Sequence, residues 1–257
     1  MLILVTNDDG VHSSGLDMLA GALSALGRVV IVAPDRERSA IGHALTLHSP
    51  LRAELLKPDI FAVDGTPTDC VNLGIHGLLD ARPDLVVSGI NRGANMGEDV
   101  TYSGTVSAAL EATLMGVPAF AISLDLLSGD PSAHAAAARF AQELATTIVR
   151  HGLPEDTFLN VNVPAGTPRG VRITRQGKRR YQDMIVEKID PRGRKYYWIG
   201  GGQCQFESIP GSDFVALAEG FTSVTPLHLD LTNYHSFDTL QLWQSASQEA
   251  FFLTDNE

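Results

Sequence analysis

The first ten residues, MLILVTNDDG, constrain the fold more than any other stretch of this chain. Leu2, Ile3, Leu4 and Val5 form an unbroken apolar run, the pattern of a strand buried on both faces, which is the environment of a parallel sheet. In open parallel sheets the ligand lies just beyond the carboxyl ends of the strands. Asn7, Asp8 and Asp9 occupy that place. Adjacent carboxylates repel each other unless a cation or a shared proton relieves them, so a hard, oxygen-preferring ion such as Mg²⁺ or Mn²⁺ is their natural partner. A purely structural alternative has Asn7 and Asp8 forming a turn and Asp9 capping the next helix.

The following segments repeat strand, loop and helix. Ser13 or Ser14 can cap a helix bearing Leu16, Leu19, Leu23 and Leu26, with Gly27 as its stop signal. Arg28 to Ala33 reads as a second strand ended by Pro34, and a β-α-β order implies a parallel pair with a right-handed crossover. The loop Asp35-Arg36-Glu37-Arg38-Ser39 then falls on the same sheet edge as Asp8 and Asp9, so the Ser39 hydroxyl can reach the same cavity or serve as a turn residue. Short strand-like segments lie within Leu45 to Val63. Thr66 with Pro67 starts a helix through Val71 and Leu78.

A third buried strand, Leu85 to Ser88, runs into Gly89-Ile90-Asn91-Arg92-Gly93-Ala94-Asn95-Met96-Gly97. Glycines there permit close backbone approach, and asparagines offer neutral oxygen donors to a metal or a phosphate; a series of left-handed turns explains the same pattern. Next comes Tyr102-Ser103-Gly104-Thr105-Val106, a hydroxyl-rich helix start whose free N–H groups favour an anion, with Ser103 as a plain N-cap the alternative. There is no Gly-Lys-Ser/Thr and no G-x-G-x-x-G after the first strand, which excludes an ordinary P-loop and weighs against a dinucleotide site. A strand from Ala119 to Leu124, an alanine-rich helix from about Ser132 to Arg150, and a strand from Phe158 to Val163 extend the alternation.

Composition sets limits on function. The 257 residues can hold one large domain with a two-faced core, and a net charge of −11 argues against general nucleic-acid binding. Cys70 and Cys204 are far apart, so neither a disulfide framework nor a zinc site is suggested. The histidines carry no zinc-binding spacing, and His12 and His43 read as loop residues near the expected site. No leader pattern and no apolar run of about 18 residues is present, so the expectation is a cytoplasmic chain without a membrane span.

From Gly170 to Gly202 the pattern changes to a β-hairpin excursion: strands at Val171 to Thr174, Met184 to Val186 and Tyr196 to Ile199, with a turn at Asp190-Pro191-Arg192-Gly193. Seven basic residues against three acids between 178 and 195 suit a subunit contact or an anion-steering arm, and ordinary solvated charges explain them equally. Ser212 can cap a helix through Leu217. Pro226 makes Thr222 to Leu231 an edge or interrupted strand, and the apolar segment from Ser236 needs a docking surface on its own subunit or a neighbour. The expected organisation is a core of residues 1–169, a hairpin at 170–202, and a return to the core with an oligomerisation segment at 203–257.

Taken together, Asn7-Asp8-Asp9-Gly10, Ser39, the Gly-Ile-Asn91 loop and Ser103-Gly104-Thr105-Val106 closely resemble the survival protein SurE family of metal-dependent 5′-nucleotidases. The segments Gly65 to Cys70 and Thr225-Pro226-Leu227 share the likeness, which extends from Met1 to about Thr232. The resemblance implies a Rossmann-like three-layer α/β/α fold with a mostly parallel sheet. It also implies one divalent cation, Mg²⁺ or Mn²⁺, held by Asp8, Asp9, Ser39 and Asn91, with Asn95, Ser103, Gly104 and Thr105 around a phosphate. The implied reaction is hydrolysis of nucleoside 5′-monophosphates, extending to 3′-nucleotides and short polyphosphate; for its chemistry, Asp8 or Asp9 orienting or deprotonating a water and one of them acting as nucleophile are the two expectations. Homodimers or homotetramers built through the hairpin and C-terminal arm are implied as well. A non-catalytic metal- and nucleotide-binding module is the alternative from another class.

Overall fold

The computed structural model describes residues 1–125, 131–180, 185–199 and 205–246. Its strands are β1 (Leu2–Thr6), β2 (Arg28–Pro34), β3 (Ala53–Lys57), β4 (Ile60–Val63), β5 (Leu85–Arg92), β6 (Ala119–Leu124), β7 (Thr157–Val163), β8 (Val171–Ile173), β9 (Arg179–Arg180), β10 (Ile185–Ile189), β11 (Lys195–Ile199), β12 (Gln205–Phe206) and β13 (Thr222–His228). The helices are α1 (Ser14–Leu23), α2 (Pro67–Leu73), α3 (Gly104–Leu114), α4 (Pro131–His151), α5 (Asp213–Ala218) and α6 (Phe237–Ala246). Nine strands make one sheet in the order β3-β4-β2-β1-β5-β6-β7-β13-β8. The central run from β4 to β7 is parallel, and β3 and β13 run antiparallel to their neighbours β4 and β7.

Helices cover both faces, because successive side chains of a strand point to opposite sides. On one face Ile3 and Val5 pack with Leu16, Leu19 and Leu23 of α1 and with Ala137, Ala141 and Ala145 of α4. On the other, Leu4 packs with Cys70 and Val71 of α2 and Val106 and Ala109 of α3. Each fully buried leucine contributes about 1.5–3 kcal/mol relative to exposure. The alanine stripe on α4 works differently, by letting the helix approach the sheet closely. This is the mostly parallel α/β/α sandwich the sequence implies, and β1 at its centre is buried on both faces.

Local details depart from the sequence reading in three places. Ser13, one of the two serines expected, caps α1, but the helix stops at Leu23 instead of continuing through Leu26 to Gly27. Gly27 is needed for another reason: a Cβ there would lie 2.2 Å from the carbonyl oxygen of Met1, where β2 begins alongside β1. Val171–Ile173 does not belong to the hairpin but forms the edge strand β8 of the main sheet, paired with Thr222 to Val224. β13 is accordingly an inner strand. Pro226 is tolerated because β8 ends before it, leaving its missing N–H on an unpaired side while Leu159 of β7 lies opposite.

Beyond the sheet, β10 and β11 form an antiparallel ribbon closed by the Asp190 to Gly193 turn, and β9 pairs with β12 at its root. Several of its basic side chains face nearby carboxylates, Lys195 on Glu187 at 2.9 Å and Arg194 on Asp190 at 3.1 Å. Met184, Asp183, Cys204 and the chain after Ala246 lie outside the described residues. Among the described residues no helix is long and apolar enough to cross a membrane.

Candidate active site

Four chain segments reach the carboxyl edge of the sheet and line one cleft of about 570 Å³: Asp8 and Asp9 after β1, Glu37 to Ala40 after β2, Asn91 to Asn95 at the end of β5, and Asp99 to Ser103 before α3. Asn7 does not face this cleft. Buried, it folds the turn that presents the aspartates, its Nδ2 donating to Ser13 Oγ at 2.7 Å and to Gly10 O at 3.1 Å while Oδ1 accepts from Gly10 N.

One oxygen of each aspartate is held by a protein donor. Asp8 is buried, and its Oδ1 accepts from the Thr105 hydroxyl. Asp9 is half-buried, and its Oδ2 accepts from the Arg92 amide at 3.2 Å. Burial raises the Asp8 carboxyl above its ordinary value, the Thr105 hydroxyl works against this, and the neighbouring Asp9 adds to the rise. Burial raises Asp9 too, opposed by the amide and the charge of Arg92. A cation beside two adjacent carboxyls that burial holds above their usual range would favour their ionised form.

Ser39 donates its proton to Glu37 Oε1 at 2.6 Å, which leaves the oxygen lone pairs available to a cation. Asn91 donates through Nδ2 to Gly93 O at 2.8 Å, leaving Oδ1 as a donor atom for a metal. Among the described residues no group of three or more His, Cys, Asp or Glu is placed to hold a metal. A cation here would rest on two carboxylates and neutral oxygens, a donor set with the chemistry of a hard divalent ion.

The start of α3 closes one side. Ser103 caps the helix, its Oγ accepting from Val106 N at 3.1 Å, and its own proton has no acceptor among the described residues. Gly104 lets the helix meet Asp8: a Cβ there would lie 2.9 Å from the Asp8 Cβ and 3.1 Å from its Oδ2. Thr105 is fully buried and faces Asp8, so its side chain does not line the cleft as Ser103 does.

Asn95 is held by side chains the sequence reading did not single out. Its backbone N–H donates to Asn162 Oδ1 at 2.8 Å, its carbonyl accepts from Asn160 and Asn162, and its Nδ2 donates to Ser123 Oγ at 2.8 Å. The alternating Asn160-Val161-Asn162 in a buried strand was the available signal. Glu37, Arg92, Asp99 and Tyr102 also line the cleft without having been named for it, and Asp99 is paired with Arg179 at 2.6 Å. His43 is elsewhere, with Nε2 2.6 Å from Glu111 Oε2 on α3.

With this geometry in place, comparison with known proteins gives a consistent result. The model of the survival protein SurE family matches residues 3–183. The chain belongs to the survival protein SurE family. A 5′-nucleotidase SurE from Syntrophotalea carbinolica is 68% identical over 243 residues, covering 95% of this chain and 97% of that protein. Another 5′-nucleotidase SurE, from Geotalea daltonii, is 62% identical, with 95% and 99% covered. The crystal structure of the SurE protein from Aquifex aeolicus superposes with a TM-score of 0.85 at 43% identity, covering 95% of this chain and all of that one. The SurE family match spans β1, the glycine-asparagine loop and the start of α3, so the whole cleft lies inside it.

Proposed function

We propose that this cleft hydrolyses nucleoside 5′-monophosphates to nucleoside and phosphate, with Asp8, Asp9, Ser39 and Asn91 holding one divalent cation, Mg²⁺ or Mn²⁺. The chain is a 5′-nucleotidase, a metal-dependent nucleotide phosphomonoesterase, as its kinship with proteins of that name supports. The observation that carries the site assignment is the convergence of Asp8, Asp9, Ser39, Asn91 and Ser103 on one cleft at the carboxyl edge of the sheet.

When bound, the cation supplies Lewis-acid polarisation of the phosphoryl group and acidifies the attacking water. The protein does the rest by position. Thr105 and the Arg92 amide fix the two aspartates, so their carboxylates meet the reaction without reorganising. Asp9, the less buried of the pair, orients the water or accepts its proton. Ser103 donates its uncommitted hydroxyl to an equatorial phosphate oxygen, and the backbone N–H of Gly104 at the start of α3 is presented to another, while Thr105 acts through the Asp8 carboxylate it holds. Asn95 borders the phosphate from the opposite loop. Exposed apolar side chains on the ribbon (Ile185, Tyr197, Trp198, Ile199) and on α6 (Leu242, Trp243) support self-assembly into a dimer or tetramer, and the buried free thiol of Cys70 agrees with a cytoplasmic location.

The test is phosphate release from AMP and GMP with Mn²⁺ or Mg²⁺ and with EDTA, for the wild type and for Asp9→Ala. Release that needs the metal and falls by roughly 10³-fold or more in Asp9→Ala is expected. Full activity in that variant sinks the site assignment, and a wild type without metal-dependent release leaves a binding module.

A further inference from the structure

We propose that Arg92 is a catalytic residue of this reaction, contacting the phosphate oxygens with its guanidinium as the one cationic side chain among the described residues lining the cleft. The inference rests on the phosphate binding in the cleft described above.

A charge count motivates it. Asp8 and Asp9 together neutralise one divalent cation, so a phosphate dianion arriving at such a site meets no net attraction from it. Glu37 on the rim makes matters worse, and Asp99 is already matched by Arg179. Charge accumulates on the phosphoryl oxygens during transfer, and enzymes of this reaction class rely on cationic groups to stabilise it. Among the described residues lining the cleft, the one remaining cation is Arg92.

The placement of Arg92 fits that task. It is the last residue of β5, opposite Leu124 of β6, so its backbone belongs to the sheet. Its amide is bound to Asp9 Oδ2 at 3.2 Å, and the next residue, Gly93, donates to Leu124 O at 2.9 Å. The root of the side chain is therefore fixed on both sides. Its guanidinium, by contrast, is exposed and makes no hydrogen bond or ion pair among the described residues, whereas Arg28, Arg36, Arg172, Arg179 and Arg194 each bind a carboxylate. A rigid base with an uncommitted head is an arrangement suited to a bidentate phosphate contact. One residue thus serves twice: its backbone amide holds the metal-binding carboxylate, and its guanidinium holds the substrate.

The test uses the full chain with Mn²⁺, a nucleoside 5′-monophosphate as substrate, inorganic phosphate as inhibitor, and direct titration of Mn²⁺ by calorimetry. Arg92→Ala is expected to lower kcat/KM on the order of 10²-fold, with Arg92→Lys recovering part of the loss because a point charge replaces the planar fork. Inhibition by inorganic phosphate weakens in parallel. Mn²⁺ binding and the melting temperature stay as in the wild type, since the amide–Asp9 bond survives the substitution. The proposal is overturned if Arg92→Ala keeps both kcat/KM and phosphate inhibition within about twofold of wild type. It is overturned equally if the variant loses Mn²⁺ binding along with activity, which would place Arg92 at the metal. A wild type that releases no phosphate with Mn²⁺ is a different result and removes the reading of the cleft itself.

Discussion

Asp8 and Asp9 are neighbours whose burial holds both carboxyls above the unfolded value of 3.8. The folded, metal-free protein therefore keeps protons that the unfolded chain has released. Stability from this pair falls as pH rises from the unfolded value through the raised folded ones, and above them the full cost of two ionised neighbours remains. A divalent cation that binds the ionised pair offsets that cost. EDTA-treated protein is accordingly expected to gain more melting temperature from Mn²⁺ at about pH 7.5 than at about pH 5. Thermal unfolding at the two pH values checks this, and equal gains would detach the cation from these carboxylates.

Among elements, the cleft loop depends on an anchor outside the central sheet. Asp213, the first residue of α5, is fully buried and accepts from the amides of Gly97 at 2.9 Å, Gly177 at 2.9 Å and Phe214 at 2.8 Å. Gln176 Nε2 donates to Gly97 O at 2.7 Å, and Arg179 N donates to Glu98 at 2.8 Å, so the root of the ribbon grips the loop running from Asn95 to Thr101. Asp213→Ala strands buried amides at a cost of about 1–3 kcal/mol each. For a chain of this size that corresponds to roughly 2–4 °C of melting temperature per kcal/mol. The expected companion is a raised KM for nucleotide, because the loop carries Asn95 and Asp99; an unchanged KM in a destabilised variant would separate the anchor from the cleft.

This anchor marks where the sequence stops being legible. The run Leu2 to Val5, the Asn-Asp-Asp turn and the Ser103 cap are local patterns, readable because a strand, a turn and a helix start each follow from a few consecutive residues. The cleft's supports are not local. Asp213 lies 116 residues from Gly97, and Asn162 lies 67 from Asn95, so nothing in their own neighbourhoods announces the pairing. The same holds for Val171–Ile173, which alternates like any short strand and gives no sign that its partner is Thr222 to Val224. Thr105 illustrates a mixed case: its place at a helix start was evident, whereas its hydroxyl's commitment to Asp8 depends on how closely α3 approaches β1.

At the scale of the whole molecule, two kinds of surface differ in composition: a polar cleft over the sheet edge, and exposed apolar side chains on β10, β11 and α6. Self-association through the latter is a mass-action process, so apparent stability is expected to rise with protein concentration. Melting curves over a hundredfold or so range of concentration check this, and coincident curves would argue against assembly through those elements. The distribution of one residue type makes the same event visible to light. The chain's two tryptophans are Trp198 on β11, 62% exposed, and Trp243 on α6, 60% exposed, and the sheet and its covering helices contain none. Indole emission from this protein therefore reports on its periphery. A blue shift on concentrating the sample would record the arms being covered, while the core could lose its packing with little direct change in colour.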